Sequence, residues 1–187
     1  MNKNITRILD EYKADELGLP VVIRSVPVID LAGEEVLDIN YAQVSAAIFS
    51  ALILKPYRLT GSEVKFMRLF MELTLEGLAK KLHVTHPSVL SWERCEQQHT
   101  NMSESTEALL RILAAQQSKK DQELISVVLD TFFHGKYSEE DGRVTTIVEL
   151  NPASDSELPQ VRFSLDPELQ SASEERQGQR GLRKSKA

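Results

Sequence analysis

The chain has 187 residues, 41% of them hydrophobic and 27% charged, with a formal net charge of −6. That length supports one or two small packed domains, and the negative sum argues against a non-specific coat for nucleic acid. A single cysteine, Cys95, excludes an intrachain disulfide and a Cys-rich zinc site, and no apolar run reaches the roughly 20 residues that cross a bilayer.

The opening stretch, MNKNITRILDEYKADELGLP, is expected to be helical and has no long apolar core of the secretory kind, so a cytoplasmic protein without a membrane partner is expected. Next, LPVVIRSVPVIDLAGEEVLDI is rich in Val and Ile and turns at Ala32–Gly33, which predicts two short strands. Pro27 cannot donate a ladder hydrogen bond and is expected at an edge or bulge. Asn40 then predicts the cap of a helix, YAQVSAAIFSALIL, that ends before Pro56. Its apolar character on most sides predicts burial.

Thr60 and Glu63 have the spacing of a capping box at the start of a further helix, with Phe66, Leu69, Phe70 and Leu73 at helical intervals. NMSESTEALLRILAAQ begins with cap-type residues and repeats Leu109, Leu110 and Leu113, predicting another helix. QELISVVLDTFF predicts one more, with Leu124, Val127, Val128 and Thr131 on one side and Gly135 at its end. RVTTIVEL and QVRFSLD alternate with period 2 and predict strands that form a hairpin or join another sheet. The polar, basic-ended tail is expected to be disordered.

Between these elements lies LTLEGLAKKLHVTHPSVLSWE, Leu73 to Glu93, which has the pattern of two short helices crossing steeply. Such a crossing needs a small residue on the first helix and compact packing on the second. Ala79 is the small residue, and Leu75, Leu78 and Leu82 form the inner stripe. Val84 fills the turn, while Val89 and Trp92 face inward from the second helix. Thr74 and Thr85 are placed to cap the two helices, and Pro87 is tolerated in a first turn. Thr85, His86, Ser88 and Ser91 are left on the outer edge of the second helix, a composition suited to the major groove of DNA.

This stretch, extended back to LTGSEVKFMRLFMEL, resembles the helix-turn-helix of the XRE-type (Cro/lambda-repressor) superfamily over about residues 57–115. The helix after it resembles that of a branch that includes MqsA-type antitoxins of type II toxin–antitoxin modules. The resemblance implies a dimer on a palindromic operator, with the second motif helix in the major groove. It also implies an internal ion pair between Arg68 and Glu93. The chain departs from the family in three places: Leu75 stands where a phosphate-contacting Gln is frequent, His83 where Gly is usual, and Cys95 where Gly is frequent. The strand-rich lead also lacks the paired zinc-binding cysteines of the MqsA type.

The fold expected is α+β, mainly α with small β elements, around a central five-helix-type helix-turn-helix domain flanked by short strands. The expected divisions are a strand/helix segment at 1–56 for dimer or partner contacts, the DNA-binding domain at 57–117, a helix with short strands at 118–168, and the tail at 169–187. The expected contacts to double-stranded DNA are Thr74, Lys80, Lys81, Thr85, His86, Pro87, Ser88, Ser91, Arg94 and Gln97, with Gln98 and Thr100 as further backbone contacts. The motif core is Arg68, Ala79, Val84, Val89, Trp92 and Glu93. The function expected is a sequence-specific transcriptional regulator, a homodimeric repressor of its own or a neighbouring operon. The alternative is an antitoxin that neutralises a toxin protein by binding it, a role that can coexist with autorepression. The chain has no Gly-rich phosphate loop and no nucleophile elbow, and its four histidines lack i, i+4 zinc spacing. No enzymatic activity, cofactor or metal is expected.

Overall fold

The structure, a computed structural model, describes residues 5–117, 121–133, 144–152 and 158–165. It is α+β, with six α-helices and a five-stranded mixed sheet among those residues. The chain enters as β1 (Ile5–Lys13), passes a 3-10 turn at Asp15–Leu17 and continues into β2 (Val21–Leu31) and β3 (Glu34–Leu37). Both β1 and β3 run antiparallel to β2.

The opening stretch is therefore a strand and not the expected helix. The cause lies in a kink of β2. Ser25 takes a left-handed backbone angle, φ 57°, which reverses the alternation of the strand, so that Ile23 and Val26, three residues apart, are both fully buried. Tyr12 and Leu9, their register partners on β1, inherit the same spacing and both pack on the core. A three-residue interval is the signature of a helix, and here it is produced by a bent ladder.

Pro27 departs from expectation in a similar way. It sits inside the central strand, opposite Ile8 of β1. On its other side β4 (Val144–Glu149) pairs with residues Val21 to Arg24 and β3 with Val28 to Leu31, which leaves Ser25–Pro27 between two partners. A missing N–H costs nothing in that gap, while the Pro27 carbonyl still accepts from the Asp38 amide at 2.8 Å.

The helices fill the interval between the strands of the sheet. Helix α1 (Tyr41–Ile53) is capped by Asn40, whose side chain accepts from the Gln43 amide at 3.2 Å. It buries Val44, Ile48, Phe49, Leu52 and Ile53 and stacks Phe49 on Phe70 at 4.3 Å between ring centroids. Helix α2 (Gly61–Phe70) begins with both hydrogen bonds of the Thr60/Glu63 capping box and buries Val64 and Met67. Leu69, expected in the inner stripe, is exposed; the arc through Val64, Met67 and Met71 takes that place.

Helices α3 (Leu75–Lys81), α4 (His86–Glu93), α5 (Glu104–Gln117) and α6 (Asp121–Phe133) follow. Val128 of α6 is buried, whereas Val127 is exposed. Strand β4 then returns parallel to β2, and β5 (Gln160–Leu165) pairs antiparallel with β4, giving the order β1-β2-β4-β5 with β3 also on β2. Segments 1–56 and 118–168 thus meet in one sheet. The expected helix end at Gly135 and the expected disordered tail lie outside the described residues. No helix among the described residues is long and apolar enough to cross a membrane.

A buried ionic network joins α1, α2 and α5. Arg111 donates to the carbonyls of Leu52, Ile53 and Lys55 at the end of α1, at 3.1, 3.1 and 2.8 Å. It also pairs with Glu107 at 2.8 Å, and Glu107 accepts from Arg58 at 2.7 Å and from the Leu59 amide at 3.1 Å. Lys55, fully buried, donates to both carboxylate oxygens of Glu63 at 2.8 Å. A cation at a helix C-terminus complements the macrodipole, and each buried charge gains partners for its desolvation. The network therefore fixes where α1 stops and where α2 starts.

Candidate nucleic-acid interface

The outward edge of α4 rests on a clamped base. Arg68 of α2 forms a two-point pair with Glu93 at the end of α4, Nε to Oε1 at 2.6 Å and Nη2 to Oε2 at 3.0 Å, both side chains being nearly buried. Its third nitrogen, Nη1, donates to the Leu73 carbonyl in the turn before α3 at 2.8 Å. One guanidinium thus ties α2, the start of α3 and the end of α4 together, which makes the pair structural.

Gly61 brings the same elements closer still. A Cβ there would lie 2.4 Å from the Trp92 carbonyl oxygen and 2.6 Å from the Glu96 nitrogen, both backbone atoms. That approach lets the Gly61 and Ser62 amides donate to the carbonyls of Gln98 and Glu96. Gly61 escaped the sequence reading, because the backbone it approaches, at Trp92 and Glu96, lies some thirty residues away in the chain.

Between α3 and α4 the turn runs through His83, which takes the left-handed angle φ 55°, so this residue fills a position that favours Gly. The Val84 amide donates to the Ala79 carbonyl at 3.0 Å. Leu78, Ala79, Leu82, Val89 and Trp92 are buried, and Leu75 and Val84 are half-buried against the same core. These side chains share one apolar core, with the Arg68–Glu93 pair at its edge.

Outside it, Lys80, Lys81, Thr85, His86, Pro87, Ser91, Arg94 and Gln97 are all exposed. Thr74 caps α3 by accepting from the Gly77 amide at 2.9 Å, and its side chain faces solvent. Thr85 caps α4 through the Ser88 amide at 3.3 Å, and its hydroxyl also meets the Ser88 hydroxyl at 2.8 Å. Ser88 is half-buried and engaged, unlike the open position expected for it. Ser91, one turn further on, has its hydroxyl edge exposed. Thr100 is buried, with its amide on the Leu59 carbonyl at 3.1 Å, so it is removed from the outer surface where a backbone contact was expected.

The first turn of α4 contains no acidic residue, which leaves the partial positive charge of the helix start facing solvent. Beside it lies an open groove of about 550 Å³ lined by Glu76, Ala79, Lys80, Val84 and His86. Glu76 is the feature of this surface that sequence reasoning passed over. Its carboxylate sits four residues before Lys80, where i, i+4 attraction moderates the charge that Lys80 presents.

Residues 57–117 carry seven cations (Arg58, Lys65, Arg68, Lys80, Lys81, Arg94, Arg111) and seven acids, a neutral sum. The structure separates that sum into two sets. Arg58, Arg68 and Arg111 are engaged with Glu93 and Glu107 inside, and Glu63 is engaged with Lys55. Lys65, Lys80, Lys81 and Arg94 are exposed, as are Glu72, Glu76, Glu96 and Glu104; of these cations Lys80, Lys81 and Arg94 lie on the α3–α4 surface without an ion-pair partner among the described residues. No family model, curated protein or solved structure matches the chain.

Proposed function

We propose that the protein is a sequence-specific DNA-binding regulator in which α3 and α4 act as a helix-turn-helix and α4 lies in the major groove. One observation carries the reading. The polar edge of α4 stands exposed on a helix whose opposite side is locked by Val89, Trp92 and the Arg68–Glu93 pair. A rigid helix presenting short hydroxyls and an imidazole can accept from and donate to base edges without losing much side-chain entropy. Lys80, Lys81 and Arg94 supply phosphate contacts that set register, and the unmasked start of α4 supplies a further one.

The edge carries no Arg, Asn or Gln within the helix, so bidentate base readout is absent from α4 and DNA shape takes a larger share of discrimination. Two copies bound to a palindrome would set their α4 helices about 34 Å apart, one turn of duplex. Repression follows from occupying a promoter and involves no bond making. Selection of binding sites from a pool of random duplexes with the full chain tests this. Enrichment of a two-fold symmetric motif with half-sites about one turn apart is expected. A pool that stays unenriched after repeated rounds would remove the proposal.

A further inference from the structure

We infer that β1 is a self-association edge, at which two copies of the chain pair their β1 strands antiparallel and extend the sheet across a two-fold axis. The strand ends the sheet path, and among the described residues it has no neighbour beyond β2. Along its nine residues the backbone groups that point away from β2, about half of them, form a template for another strand. Soluble proteins usually shield such an edge, and here β1 is exposed on most of its length.

An apolar row crosses the same hairpin. Ile5, Ile29 and Val36 are register partners across β1, β2 and β3. Ile8 flanks the row at 51% exposure and Leu31 at 63%. Side chains of this kind on one sheet face exceed scattered surface residues and mark a surface that gains from cover.

The charge order of β1 indicates what covers it. Arg7 lies toward one end, Asp10 and Glu11 lie past the middle, and Lys13 closes the strand, so that in an antiparallel pair centred on Leu9 each Arg7 stands opposite a Glu11 and each Lys13 opposite the uncharged Ile5. Antiparallel pairing of two identical strands sets Arg7 of each copy near the acids of its partner, whereas parallel pairing would set like charge on like. Both Arg7 and Glu11 hold exposed ion pairs within the chain, to Glu35 at 3.0 Å and Arg24 at 2.6 Å. Those contacts are weak enough to be shared with a partner. A second copy therefore fits the edge by backbone, by apolar surface and by charge. The inference rests on the strand edge alone and not on the DNA-binding reading.

Sedimentation equilibrium of the full chain over a wide concentration range tests it, with Ile8→Lys and Arg7→Glu as variants. A dimer is expected whose dissociation constant rises about tenfold or more in each variant, with folding checked by circular dichroism. Restoring association by combining Arg7→Glu with Glu11→Arg is expected as well. In parallel, single cysteines placed along Arg7 to Glu11 in a Cys95→Ser background should oxidise to cross-linked dimers, most readily near the middle of the strand. A monomer at every concentration would overturn the inference. So would a dimer that both variants leave intact and that no β1 cysteine cross-links. Since no step uses DNA, failure here leaves the duplex-binding proposal standing, and the reverse also holds.

Discussion

Two sets of charged and polar groups within residues 57–117 do opposite work. The inner set, Arg58, Glu63, Arg68, Glu93, Glu107 and Arg111, is closed by short contacts of 2.6 to 3.1 Å. The outer set, Lys80, Lys81, His86, Ser91 and Arg94, is turned to solvent. The same residue types thus hold the frame in one place and leave a surface open in the other. The lesson is that a neutral sum says nothing of placement: the exposed part of the segment keeps Lys65, Lys80, Lys81 and Arg94 against Glu72, Glu76, Glu96 and Glu104, and what matters is where on the surface each of them stands.

The comparison can be broken first from the inside. Glu107→Ala leaves the buried Arg111 without its carboxylate and takes one from the part-buried Arg58, and a loss of about 3–5 kcal/mol is expected in a urea or thermal unfolding measurement. Gly61→Ala forces a Cβ against the Trp92 carbonyl and Glu96 nitrogen, which are backbone and cannot yield as side chains do. A loss of about 1–3 kcal/mol is expected, with duplex binding reduced in step with the folded fraction. Thr85→Ala removes the cap of α4 and its contact to Ser88, for about 1 kcal/mol by the same unfolding measurement.

The outer set sharpens the comparison because its stability effect is expected to be the smallest. Lys80→Gln and Lys81→Gln should each change unfolding free energy by no more than about 0.5 kcal/mol. Each should also weaken duplex binding and lower the salt dependence by about one unit of slope, as expected for one lost phosphate contact. If either lysine instead lowers stability by as much as Thr85→Ala does, the division between inner and outer sets fails at that residue.

Local signals carried well from sequence to structure where the physics is local. The capping box at Thr60 and Glu63, the caps at Asn40, Thr74 and Thr85, and the buried stripe through Leu78, Val89 and Trp92 depend on neighbours within a turn or two. The left-handed angle at His83 also follows from its place in the turn. What escaped depends on distant partners. The helix-like spacing in β1 comes from the bend at Ser25, and β2 pairs with β4 across more than a hundred intervening residues, which no local pattern encodes. Glu107 and Arg111 have a visible i, i+4 spacing, but only the convergence of α1, α2 and α5 turns that common surface pair into a buried clamp. The exposure of Lys80, Lys81, His86, Ser91 and Arg94 was legible because exposure opposite an apolar stripe is a property of one helix. Thr100 was not, since its burial arises from pairing beside Leu59.

The central claim concerns the edge of α4, and the most direct measurement places a negative charge on it. Titration of duplex DNA from the region upstream of the gene with the full chain and with its Ser91→Glu and Ser88→Glu variants, read by band shift, provides this. The account predicts a bound complex for the unaltered chain and a loss of affinity of about a hundredfold or more in both variants, with melting temperature little changed for the exposed Ser91. Equal affinity in all three proteins would contradict it.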